Sequence, residues 1–99
     1  MSSHPIYVAP DDARWEPISQ IQFNKLEQSI KARKDVDKYI FGPTAGSFSL
    51  QGVDFTYTYD AANAVLQVHI VAVHSLKAKL VGHQAIFDAL NDGVQGAIA

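Results

Sequence analysis

Asp54 and His69 are the residues in this sequence whose types and placement first suggest chemistry. The stretches 53–59 and 66–72 alternate apolar with polar residues. Pairing Tyr59 with Ala64 sets Asp54 opposite His69 on the polar face of a hairpin. A carboxylate that orients and charges an imidazole is half of a general-base arrangement. No nucleophile is identifiable beside the pair, and cross-strand charge pairs also serve simply to support a sheet. An acid–base enzyme using Asp54 and His69 therefore ranks behind the readings that need no catalysis.

The other chemistry-bearing groups point less far. His69 and His74 are separated by an odd number of residues, so a regular strand directs them to opposite faces, and His83 belongs to another element. No helical His-x3-His or HExxH spacing is present, and no metal site or cofactor is expected. Lys31, Arg33 and Lys34 read as the basic last turn of a helix, followed directly by Asp35 and Asp37. The segment Gly42-Pro43-Thr44-Ala45-Gly46 lacks the spacing and the Gly-Lys-Ser/Thr ending of a phosphate loop.

Two groups of apolar residues suggest binding. Phe55, Tyr57 and Tyr59, with Tyr39 nearby, put aromatic rings on the inner face of the sheet, where helices above them can enclose an apolar ligand. The competing reading is that these rings simply fill a small core. Val65, Val71 and Val73 fall on the opposite face, where a two-layer monomer exposes them. A second layer over that face, supplied by an N-terminal arm carrying Trp15 or by another subunit, would bury them. Valine is also an ordinary strand former on a surface, and a lone tryptophan is more often core than interface.

The elements that position these residues follow from periodicity. Ser19 and Gln22 form a capping box, Ile18 and Phe23 the accompanying hydrophobic staple, and Phe23, Leu26 and Ile30 share one face of a helix at about 19–34. A kink or separate turn is expected from Asp35, ended by Gly42-Pro43. From Gly46 the period becomes two, with Phe48 and Leu50 on the core side and a tight turn preferred over a bulge at Gln51-Gly52. The turn at 60–63 uses Asn63 for a positive φ. Leu76, Ala78 and Leu80 alternate with Lys77 and Lys79, predicting a further strand whose lysines face solvent. After Gly82, Ile86, Leu90, Val94 and Ala97 mark a helix that frays beyond Asn91, weakened by Gly93 and Gly96.

The expected fold is α+β: an antiparallel three- to four-stranded meander with an N-terminal and a C-terminal helix packed on one face. Residues 1–17, with Ile6-Tyr7-Val8 between prolines, form an arm or edge strand, and 18–99 form a single domain. With 47% hydrophobic and 18% charged residues the 99-residue chain has the composition of a small globular domain. The absence of cysteine excludes disulfides and thiolate chemistry, and a net charge of −2 offers no footprint for nucleic acid. The N-terminus has no signal-peptide pattern and no apolar stretch could span a bilayer, so a soluble cytoplasmic protein is expected. The leading functional reading is a small non-enzymatic interaction module, self-associating as a homodimer or meeting another protein through the outer sheet face or the arm. An apolar-ligand pocket between the aromatic sheet face and the C-terminal helix is the alternative, and the Asp54/His69 enzyme the third.

Overall fold

Alternation of buried and exposed side chains from Val53 to Asp60, and from Val65 to Ile70, builds the centre of the molecule. The computed structural model describes residues 4–9 and 11–98. The chain runs β1 (His4–Ala9), β2 (Asp12–Glu16), α1 (Gln20–Ala32), β3 (Val36–Phe41), β4 (Ala45–Leu50), β5 (Val53–Asp60), β6 (Val65–Val73), α2 (Leu76–Val81) and α3 (His83–Ile98). The strands form one six-stranded antiparallel sheet in the order β1-β2-β6-β5-β4-β3. This is the α+β architecture expected, with helices α1 and α3 supplying buried residues to one face of the sheet.

Local signals account for most of these elements. Ser19 Oγ accepts from the Gln22 backbone while the Gln22 side chain accepts from the Ser19 backbone, closing the capping box, and both staple residues are buried. The β4–β5 turn has Gln51 at φ 51° and Gly52 at φ 78°, the two positive values that a two-residue hairpin of matching twist requires. Leu50 then faces Val53 and Phe48 faces Phe55, as the alternation predicts.

Five expectations need correction. The strand count rises because the expected arm folds as the β1–β2 hairpin and joins the sheet on β6, and because residues 36–41 form β3 instead of a kink or turn. Residues 76–81 are helical: Ser75 Oγ caps the helix by accepting from the Ala78 backbone, and Leu, Lys and Ala are all strong helix formers. Helix α3 continues to Ile98 through both glycines, because Val94 and Ile98 are buried in the core and their packing outweighs propensity. In the β5–β6 turn it is Ala64, at φ 56°, that takes the left-handed conformation, while Asn63 donates to Asp60 from its backbone and side chain.

The fifth correction concerns register. Tyr59 pairs with Leu66, Tyr57 with Val68 and Phe55 with Ile70, two residues away from the pairing expected. A two-residue slip preserves which side chains face the core but changes every partner. Beyond Phe55 the register shifts again, Asp54 pairing with Ala72 and Val53 with Val73, so Val71 is the extra residue of a β-bulge.

Candidate ligand-binding site

The corrected register separates Asp54 from His69. His69 lies opposite Thr56, and its Nδ1 is 2.8 Å from Asp12 Oδ1 across β2–β6. Asp54 instead meets His74, Nε2 to Oδ2 at 2.9 Å, and accepts from Ser49 Oγ at 2.6 Å. Those two partners, the Ser49 hydroxyl foremost, hold the Asp54 carboxyl below its ordinary range. The order Ser49–Asp54–His74 places the carboxylate between hydroxyl and imidazole, so the imidazole has no direct path to the Ser49 proton. A third pair joins His83 Nδ1 to Asp11 Oδ1. Three of the four histidines thus tie separate elements together, and among the described residues no group of three potential metal ligands forms.

The interface candidates also divide. Trp15 is completely buried within the chain, its Nε1 donating to Asn91 Oδ1 of α3 at 2.9 Å, and it has no surface to offer a partner. The β-bulge turns Val73 toward the core, against which it packs. Val65 is half-buried, and Val71 stands out from the outer face at 57% exposure. Ile40 joins it there at 74%, a residue made visible only by the assignment of β3.

The inner face carries the larger feature. A cavity of about 410 Å³ opens between β4, β5 and the three helices. Its floor is Phe48, Leu50, Val53 and Phe55 of the sheet. Leu26 and Ile30 of α1 close one side, and Ile86, Leu90 and Val94 of α3 the other. Small residues on α3 keep it open: Ala85, Ala89 and Gly93 line it, and a Cβ built on Gly93 meets no atom within 4 Å. Of the four residues expected to form a pocket, Phe55 lines this cavity and Tyr57 borders only a recess of about 40 Å³. Tyr59 and Tyr39 border neither. Tyr59 stacks on Phe23 with ring centroids 4.2 Å apart and donates to the Ile18 carbonyl at 2.7 Å, whereas Tyr39 is half-exposed on the edge strand beside Phe41.

Helix α2 closes the cavity's remaining side with Lys77, Ala78 and Val81. The helical period reverses what a strand would have done with these residues. Leu76 and Leu80 face solvent at 72% and 79% exposure, and Lys77 lines the cavity. None of the side chains of α2 is buried, and the helix is anchored at its start by the Gly52 carbonyl, which accepts from the backbones of His74 and Ser75. Gly52 is in van der Waals range of that anchor, since an added Cβ would lie 2.8 Å from Ser75 Cβ. The signal for this wall was present in the sequence as Ser75 before a run of helix formers, but the alternation of leucine and lysine masked it.

Among the described residues two charged side chains line the cavity, Arg33 and Lys77, both cations. Arg33 is engaged: its Nε and Nη2 donate to the two carboxylate oxygens of Asp35 at 2.8 and 2.7 Å. Gln51 Nε2 donates to the same carboxylate, and together these donors, Arg33 first, hold Asp35 well below the usual carboxylate range. Lys77 has no ion-pair partner among the described residues.

Set against family models, curated proteins and solved structures, the chain matches none of them. Among the described residues no helix is long and apolar enough to cross a membrane.

Proposed function

We propose that this chain is a binding domain for a small apolar molecule, held between the sheet and the three helices. The observation that carries the reading is the cavity of about 410 Å³, which falls within the size of small-molecule sites, roughly 300–1,000 Å³. Most of its lining residues are leucine, isoleucine, valine, phenylalanine and alanine, which hold water poorly and apolar carbon well. At roughly the 30 Å³ that one water takes in the liquid, the space suits about a dozen heavy atoms.

Thermal unfolding with and without decanol tests this. A ligand bound only by the folded state at one hundred times its Kd adds about 2.7 kcal/mol, a shift of many degrees for a domain of this size. The wild type is expected to gain that stability. Gly93→Leu, which places a side chain into open space, is expected to gain none. An unmoved wild type, or equal shifts in both proteins, would refute the reading.

Self-association is the second reading, supported by Ile40 and Val71 exposed on the outer face. Light scattering over a concentration range tests it. A dimer that becomes a monomer on Ile40→Thr with Val71→Thr supports it, and a monomeric wild type refutes it.

A further inference from the structure

We infer that the ligand of this cavity is an amphiphile, a single apolar chain ending in an anionic head group that Lys77 receives at the α2 wall. The inference rests on the binding reading above and adds the chemistry of the ligand's polar end. Three observations lead to it. The side chains that β4, β5 and α3 give to the cavity are all apolar, so a polar group has no partner on those walls. Its polar side chains come from α1 (Ser29, Arg33), the hairpin turn (Gln51) and α2 with its cap (Lys77, Ser75). The turn links them, since Gln51 shares Asp35 with Arg33 and the Gly52 carbonyl accepts from the Ser75 backbone. No carboxylate lines the cavity, and of its two cations only Lys77 lacks an ion-pair partner among the described residues.

These conditions select among ligands by charge. A neutral chain fills the apolar volume but leaves the Lys77 ammonium to water. A cationic head is repelled by Lys77 and finds no carboxylate among the described lining residues, and the carboxylate that pairs with Arg33, Asp35, is held by Arg33 and Gln51. An anionic head accepts charge-assisted hydrogen bonds from the three ammonium protons of Lys77 while its chain lies against Phe48, Leu50 and Phe55. Because Lys77 is exposed, the head remains partly in water, and the attraction weakens with salt.

Calorimetric titration of the full chain with monomeric decanoate, decanol and decylammonium at neutral pH tests the inference. Decanoate is expected to bind about ten-fold more tightly than decanol, the scale of a hydrogen bond to a charged group, with decylammonium weakest. Lys77→Gln is expected to remove the advantage of decanoate while leaving decanol unchanged. Equal affinity for decanoate and decanol would overturn the anionic head group and leave the apolar site standing. A decanoate preference that survives Lys77→Gln would overturn the assignment to Lys77. If none of the three binds, the binding reading itself fails and this inference falls with it.

Discussion

At one end of the sheet's inner face Trp15, Ile18 and Tyr59 are buried in one core with Phe23, which stacks on Tyr59, and at the other Phe48, Leu50, Val53 and Phe55 border a cavity of about 410 Å³. Strand β5 runs through both ends, giving Tyr59 to the filled one and Val53 and Phe55 to the open one by a single alternation of apolar and polar residues. The difference lies in what covers them. The filled end receives β2, the start of α1 and the middle of α3, and there the Trp15 indole N–H and the Tyr59 hydroxyl donate to Asn91 Oδ1 and to the Ile18 carbonyl. The open end is covered by a six-residue helix without a buried side chain, and along α3 the small residues Ala85, Ala89 and Gly93 stand beside Ile86, Leu90 and Val94. Alternation therefore decides which side chains face inward, while the volume of the covering elements decides whether they meet anything there.

Truncation separates the two ends most strongly. Trp15→Ala is expected to cost about 3–5 kcal/mol, since it empties a fully buried site and removes one of the two donors to Asn91 Oδ1, leaving only Gln95 Nε2. Leu50→Ala, at the half-buried rim of the cavity, is expected to cost less than about 2 kcal/mol. Chemical denaturation of both variants checks the ordering, and equal costs would break the comparison.

Two glycines make the next contrast. Gly52→Ala forces a side chain into φ 78° and against Ser75, and is expected to cost about 1–3 kcal/mol and to weaken decanol binding by displacing α2. Gly93→Ala lies in open space on a helix and is expected to stabilise the domain by up to about 1 kcal/mol.

Titration adds a pair with opposite signs. The Asp54 carboxyl is lowered in the folded protein, so its contribution is present above the unfolded value of about 3.9 and is lost as pH falls through the folded one. Asp54→Asn is expected to flatten the acid side of the stability profile. Burial, assisted by Glu27, pushes the Tyr57 hydroxyl up to about 12 from an ordinary value of 10.0. Its contribution is present below the ordinary value and is lost as pH rises through the folded one, and Tyr57→Phe is expected to remove that alkaline loss.

The smallest effect tests the β-bulge. Val73→Thr is expected to cost about 1 kcal/mol, because Val73 packs on the core, whereas Val71→Thr stays within about 0.5 kcal/mol. Reversal of that order would mean the strand continues without its extra residue.

These contrasts also mark what the sequence made legible. The capping box at Ser19 and Gln22, the hairpin turn at Gln51-Gly52 and the inward set of β5 are local patterns, and each stands in the structure as read. The partners of Asp54 and His69 were not legible, because strict alternation is equally satisfied by registers two residues apart, and a bulge leaves no mark in residue types. Strand β3 and helix α2 were missed where short apolar runs fit more than one period and only neighbouring strands and caps decide between them. A pocket was expected beneath Tyr57 and Tyr59, whereas the cavity lies over Phe48, Leu50, Val53 and Phe55, because inward-facing residues can be read from a pattern and unfilled volume cannot.

The central claim, that the Phe48–Phe55 end of the sheet holds an apolar molecule, is tested most directly by methyl-resolved NMR of the full chain titrated with decanol. Saturable shifts are expected at the methyls of Leu50, Ile86, Leu90 and Val94, which line the cavity, with Ile18 at the filled end and Val71 on the outer face unmoved. Shifts centred on Ile18 or Val71, or no saturable shift at any methyl, would contradict it.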